Sequence, residues 1–98
     1  MHLDQQYYVY LLASKLGGTL YVGVTNNLVE RVSAHRDGIG SKFTAKYCIN
    51  RLVYFEVHEE IDWAIKCEKQ VKRWRRAWKI RMIEEKNPNW DDLFPSLV

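Results

Sequence analysis

Residues 7–35 read YYVYLLASKLGGTLYVGVTNNLVERVSAH. The run from Tyr7 to Ala13 is aromatic and branched-apolar, the composition of a strand. SKLGG follows, and Gly17-Gly18 supplies the positive φ that a tight turn needs. Thr19–Thr25 is a second strand, and two strands this close in sequence pair as a hairpin. Asn26-Asn27 stop the strand. Asn27 is a good helix N-cap, and Glu30 three residues later completes something close to a capping box. The helix runs to about Arg36 and stops at Asp37-Gly38.

At about 100° per residue, Leu28, Arg31, Val32 and His35 share one arc of the helix of under about 120°. Leu28 and Val32 belong against the sheet, so Arg31 and His35 are expected to turn inward with them. An inward guanidinium must meet an anion, either a carboxylate of the protein or a ligand. An inward histidine is either hydrogen-bonded in the core or part of a site. Side chains alternate along a strand. A turn centred near Leu16-Gly17 therefore puts Tyr8, Tyr10 and Leu12 on the face of Tyr21, Gly23 and Thr25. Tyr10 then lies diagonal to Tyr21, beside the bare backbone of Gly23, which marks close approach of another group. A slip of one residue would separate the pair.

Downstream, residues 38–49 read as a loop or irregular segment carrying Lys42 and Lys46. RLVYFEVH (51–58) is a third strand. A helical pattern runs from about Glu60 to about Lys86, broken or bent near Arg75–Trp78, and Asn87-Pro88 end it. Ile61, Ala64, Ile65 and Val71 form its apolar stripe, with Glu68 in the middle. A carboxylate there is costly unless it meets a cation, a metal or solvent in a cleft; Arg31 is one candidate partner. The tail NWDDLFPSLV, with Trp90, Leu93 and Phe94, is expected to dock on the body. The order is ββαβαα: an α+β domain with a small, mostly antiparallel sheet flanked by helices. It reads as one domain over 1–98, with a core of about 7–86 and a docking tail over 87–98.

The totals agree. A chain of 98 residues buries one modest core. No apolar run approaches the roughly 20 residues that span a bilayer. The start MHLDQQYY lacks the basic end and apolar stretch of a secretory signal. Cys48 and Cys67 are the only two cysteines, without metal-type spacing, and read as reduced thiols of a cytoplasmic protein. Net charge is +3, but Lys66–Arg81 holds eight Lys/Arg against one acid, Glu68. Trp74 and Trp78 interleave with them. Such a run is either a solvated helix face or an electrostatic footprint for phosphates.

These residues, taken in order, resemble the GIY-YIG endonuclease superfamily. Tyr8-Val9-Tyr10 stands where the family usually reads Gly-Ile-Tyr, and Tyr21-Val22-Gly23 stands for Tyr-Ile-Gly. TNNLVERVSAH matches the helix that carries the family's Arg and His, here Arg31 and His35. EKQVKRW matches the segment carrying the metal-binding Glu, here Glu68. The likeness covers about residues 7–86 and is greatest to the small stand-alone bacterial members. It implies a three-stranded antiparallel sheet and hydrolysis of DNA phosphodiesters with one divalent cation, Mg²⁺ or Mn²⁺, in DNA repair or processing. It implies catalytic Tyr10, Tyr21, Arg31, His35 and Glu68, with Glu68 on the metal. Arg31 would stabilise charge on the phosphoryl oxygens. One of Tyr10 and Tyr21 would be the base or orient the water. A free phenol, with pKa near about 10, is a poor base, and Arg31, His35 and the metal are expected to lower it. His35 would share proton transfer or hold a Tyr hydroxyl.

Gly23, Lys42, Lys46, Lys72, Arg73, Arg75 and Arg76 are the expected contacts to DNA or RNA, giving salt-sensitive, sequence-blind binding. Two departures stand out: Val24 occupies the neighbourhood where many members carry Lys, and no Asn appears around Lys79-Ile80. A nucleic-acid-binding module with weak or no catalysis is therefore the alternative. A third reading is a docking protein anchored by Trp63, Trp74, Trp78 or Trp90.

Overall fold

The structure, a computed structural model, describes residues 5–98. The beginning of the MHLDQQYY segment, read above for a leader, lies outside the described residues. Strands β1 (Tyr7–Ala13) and β2 (Leu20–Thr25) form the expected hairpin. Its turn is closed by Gly18 N donating to Lys15 O at 2.9 Å, with Gly17 at φ +69°. Tyr10 pairs with Gly23 and Leu12 with Tyr21, the register that places both phenols on one face. Strand β3 (Arg51–His58) pairs antiparallel on the other side of β1, giving the order β2-β1-β3.

Helix α1 (Leu28–Arg36) begins as read: the Asn27 side chain accepts from Glu30 N at 3.1 Å. The loop expected over 38–49 contains a short helix instead, α2 (Lys42–Lys46). Its cap is Ser41, whose hydroxyl accepts from Thr44 N at 3.0 Å, an N-cap signal that the surrounding glycines and lysines obscure. The long helical pattern resolves into α3 (Ile61–Arg73) and α4 (Arg76–Lys86). The break falls at Trp74 and Arg75, whose backbone turns extended at ψ 150° and 152°.

The sheet has a core on each face. Leu11, Val22, Val53, Tyr54 and Val71 pack with Ile83 and Trp90 on the side of α3 and α4. Tyr10, Leu12, Leu28, Val32, Ile49 and Leu52 pack on the side of α1. The register of β3 against β1 shifts between Leu11 and Leu12, so that Leu11 faces Tyr54 and Leu12 faces Leu52. The bulge at Val53 puts both Val53 and Tyr54 on the α3 side and sets the alternation of the rest of the strand.

The tail docks as expected. Trp90 is fully buried at φ +56°, and its indole donates to Glu84 Oε2 at 2.7 Å. Arg51 donates to Trp90 O at 2.9 Å, and Asn87 Nδ2 to Val53 O at 3.0 Å. Leu93, Phe94 and Leu97 close over the α1 side, the last two in a 3-10 turn (Phe94–Leu97). Among the described residues no helix is long and apolar enough to cross a membrane.

Candidate active site

Three of the five expected catalytic side chains meet as rings. Tyr10 (β1) and Tyr21 (β2) have centroids 6.3 Å apart, and His35 (α1) lies 6.0 Å from Tyr10 and 5.2 Å from Tyr21. The register explains the first pair, since the two phenols sit diagonally across a non-adjacent strand position. Gly23 explains the fit. A Cβ at Gly23 would collide with the Tyr10 phenol. The group that approaches this glycine closely is therefore the protein's own tyrosine. Gly23 is buried beneath it, which gives it a packing role rather than the nucleic-acid contact expected from the sequence. Gly40 does the same for His35, whose ring fills the place where a Cβ would stand.

His35 is held at both nitrogens. Nε2 lies 3.1 Å from the Tyr10 hydroxyl and Nδ1 lies 2.9 Å from Thr44 Oγ1. Thr44 Oγ1 donates to Ser41 O at 3.2 Å and sits 2.8 Å from Ser41 Oγ. With the threonine proton on the Ser41 carbonyl, Thr44 accepts from Nδ1–H, and Nε2 becomes the acceptor for the Tyr10 hydroxyl proton. This arrangement satisfies every partner and fixes the tautomer. Burial and the nearby Arg31 charge hold the imidazole pKa below its ordinary value. Thr44 and Ser41 thus support His35 from a short helix in a segment whose sequence reads as loop, and the Ser-x-x-Thr cap is its local signal.

Tyr10 corrects a second expectation. Its phenol was expected to be acidified by its neighbours. It is fully buried, and desolvation pushes its pKa up; the Arg31 charge opposes this without reversing it. Tyr10 therefore stays a neutral phenol and a hydrogen-bond donor. Tyr21 is half-buried, and among the described residues its hydroxyl has no protein hydrogen-bond partner.

Arg31 does not lie in the core. It is exposed, while Leu28, Val32 and His35 on the same helix are buried. Its long side chain carries the charge to the rim of the cluster, close enough to bear on both Tyr10 and His35. Glu68 is buried as read, but its partner is Lys72, at 2.8 Å one turn along α3, and not Arg31. Among the described residues Arg31 forms no salt bridge. Glu68 bears on Tyr10 through space, as the smallest of the influences on that phenol. Tyr21 in turn bears on Lys72, whose ammonium Glu68 holds above its ordinary pKa. Tyr10, Tyr21 and His35 thus form one cluster, with Arg31 and the Glu68–Lys72 pair within electrostatic reach of it.

The basic run does not form one surface. Lys72 turns toward Glu68, and Lys79 Nζ donates to Lys72 O at 3.2 Å. Arg76 donates to Gly17 O and Gly18 O at 2.7 and 2.6 Å, tying α4 to the hairpin turn. Arg75 stacks over Trp78 with its guanidinium 5.8 Å from the ring. Arg73 lines a cavity on the other side of α3. Lys42 and Lys46 stand exposed on α2, next to the ring cluster through Phe43, 6.5 Å from Tyr21. Of the expected tryptophan anchors, Trp63 and Trp78 are exposed, Trp74 is half-buried and Trp90 is buried.

Known proteins resemble this chain in sequence and in fold. Residues 6–81 match the GIY-YIG catalytic domain. A UPF0213 protein of Clostridium perfringens is 40% identical over 80 residues, covering 82% of this chain and 85% of its own. One from Bacillus licheniformis is 36% identical over 90 residues, covering 92% of each chain. The solution structure of the UPF0213 protein BH0048 from Bacillus halodurans superimposes with a TM-score of 0.56 at 28% identity, over 89% of this chain and 92% of that one.

Proposed function

Because the chain belongs to the GIY-YIG catalytic-domain family, a family of nucleases, we propose that it is a divalent-metal-dependent endonuclease that hydrolyses DNA phosphodiesters. The observation that carries this reading is the convergence of Tyr10, Tyr21 and His35 in one cluster, with Arg31 exposed at its rim. An exposed guanidinium that forms no salt bridge among the described residues is available to a phosphate.

Tyr21 is our choice to orient the attacking water, since its hydroxyl is uncommitted and half-exposed. Tyr10, kept protonated by burial, anchors His35 and holds the ring cluster in place. Arg31 binds the scissile phosphate and stabilises the charge that grows on its non-bridging oxygens. Glu68 fits a divalent cation. It is a single carboxylate whose one partner among the described residues is a lysine with a side chain 55% exposed, which can swing aside. One carboxylate with room for retained waters suits Mg²⁺ or Mn²⁺. Bound there, the ion supplies Lewis-acid stabilisation of a phosphate oxygen and of the leaving oxygen. The exposed Lys42 and Lys46 extend the contact along the nucleic-acid backbone. Cleavage in DNA repair or processing suits such sequence-blind contacts.

The test is nicking of supercoiled and branched DNA with Mg²⁺, with Mn²⁺ and with chelator. Cleavage should require the metal and disappear in Arg31→Ala and Glu68→Ala. Tyr21→Phe should lower the rate by about 10²-fold, the scale of a positioned acid-base group, and Tyr10→Phe by less. Metal-independent binding without turnover would favour the binding-module reading, for which Val24 and the absence of Asn near Lys79-Ile80 speak.

A further inference from the structure

On the far side of α3 from Glu68, three ligating side chains meet. Tyr54, Glu56 and His58 alternate along β3, so all three point toward α3, where Cys67 faces them. His58 Nε2 and Cys67 Sγ lie 2.6 and 3.1 Å from the same oxygen, Glu56 Oε2. The three ligating atoms fall within 4.8 Å of one another. The other carboxylate oxygen, Oε1, is taken by the Tyr54 hydroxyl at 2.6 Å.

We propose that Glu56, His58 and Cys67 form a second metal site, for a zinc-class transition ion and distinct from the Mg²⁺-type position at Glu68. The donor set decides the class of ion. A thiolate, an imidazole and one carboxylate oxygen are borderline-soft ligands that select Zn²⁺ and its neighbours and reject Mg²⁺. Ligand–ligand separations around a tetrahedral ion with bonds of about 2.0–2.3 Å are about 3.3–3.8 Å, so the present 2.6 and 3.1 Å contacts must open by roughly half an ångström or a little more to admit the ion. Tyr54 acts as the outer partner. By occupying Oε1 it aims Oε2 and fixes the carboxylate, the role that such hydrogen bonds play around metals.

An entry path exists. His58 and Cys67 both line an open cavity of about 560 Å³ whose other walls include Trp63, Lys66, Lys69 and Arg73. Three protein ligands with the cavity at the fourth position resemble an exchangeable rather than a sealed site. Binding breaks the Cys67 S–H bond and forms a sulfur–metal bond, with the proton released to solvent. The resulting charges, +2 on the ion against one thiolate and one carboxylate, cancel. Binding thus takes the site from the single negative charge of the Glu56 carboxylate to neutral, since a divalent ion arrives and one proton leaves.

The test is titration of the reduced full chain with Co²⁺, in a Cys48→Ser background that removes the exposed second thiol. One equivalent should give a sulfur-to-cobalt charge-transfer band in the near ultraviolet, displaced by Zn²⁺ and unaffected by excess Mg²⁺. Cys67→Ser should abolish the band, and His58→Gln should weaken binding at least tenfold. Tyr54→Phe should weaken it by about 10- to 100-fold, the usual effect of removing an outer partner. Glu68→Gln should leave the titration unchanged while abolishing nicking, which separates this site from the catalytic one. Circular dichroism of each variant checks its fold. Absence of the band in the folded parent, or its survival in folded Cys67→Ser, overturns the proposal.

Discussion

Cys67 and Glu68 are neighbours on α3, yet they face two different worlds. One residue of helix turns the side chain through about 100°. Cys67 thus points at β3, where the Glu56 carboxylate is fully occupied by Tyr54, His58 and Cys67 itself. Glu68 points away from that cluster, where the half-exposed Lys72 meets it. Both carboxylates are mostly covered, but they are covered differently. Glu56 has fixed donors on both oxygens, and those donors come from a strand and a helix, so it cross-links the fold. Among the described residues Glu68 has one partner, from its own helix, which cross-links nothing. A buried carboxylate held so lightly is poised for exchange, and this distinguishes a site from a support more sharply than burial does.

The largest expected effect breaks the comparison at Glu68. Glu68→Gln should cut nicking by about 10²-fold or more, the loss typical of removing one electrostatic partner of the transition state. Its urea midpoint should stay at or above that of the parent, since a poorly compensated buried charge is removed. A clear loss of stability with activity retained would show that Glu68 is the support and that the contrast is misdrawn.

Glu56 should behave in the opposite way. Glu56→Gln replaces one of two acceptor oxygens with an NH2 donor, against donors from Tyr54, His58 and Cys67 on both sides, at a cost of about 1–3 kcal/mol. In a domain of this size each kcal/mol lowers the melting temperature by roughly 4–8 °C. Metal-dependent nicking by the folded fraction should be unchanged. Thermal melts and nicking rates at one temperature, measured on both variants, give the crossed pattern or refute it.

The contrast also explains what could be read from the sequence. The hairpin register, the Asn27 cap and the Tyr10–Tyr21–His35 cluster follow from short-range rules, because turn position and periodicity fix them. The break in the long helix was placed a residue or so late, at Arg75–Trp78 rather than Trp74-Arg75. What the sequence concealed is long-range. Arg31 shares an arc with Leu28 and Val32, but its side chain is long enough to leave the core and reach the rim. Periodicity locates a Cα–Cβ direction, not the far end of an arginine. Lys72 was one cation in a run of eight, and only the structure singles it out as the partner of Glu68. The Glu56–His58–Cys67 cluster was invisible to a search for cysteine spacing, since two of its members belong to a strand that pairs across the sheet. Its one local sign was the alternation of Tyr54, Glu56 and His58, a polar face where β3 should have been apolar.

A smaller effect sharpens the comparison through Lys72. If its ammonium holds the place a divalent cation takes, the two compete. An i,i+4 ion pair whose lysine is open to solvent contributes about 0.2–1 kcal/mol. Lys72→Met should therefore lower the Mg²⁺ concentration for half-maximal nicking by up to about fivefold. A higher Mg²⁺ requirement would place Lys72 on the nucleic acid instead.

The smallest effect asks whether the same division recurs on α1, where His35 and Arg36 are again neighbours facing different ways. His35 points into the ring cluster with its pKa held down by burial and by Arg31. Arg36 reaches Asp92 of the tail at 2.6 Å. Burial alone would raise the Asp92 carboxyl, but hydrogen bonds from Arg36 and from the Phe94 and Leu52 amides outweigh it and lower the pKa. For both groups the unfolded chain binds the proton more readily, so stability falls as pH falls. The windows differ. His35 begins to cost stability as pH drops below its ordinary value of 6.5, while the contribution of Asp92 persists until pH falls below about 3.8. Urea midpoints followed from roughly pH 7.5 down to about pH 3 should therefore decline in two stages. His35→Gln should flatten only the upper stage and Asp92→Asn only the lower. If His35→Gln leaves the upper stage intact, the imidazole is not buried against protonation. The Tyr10–His35–Thr44 chain would then lose its assigned tautomer, and the catalytic edge would be as open at its base as it is at Glu68.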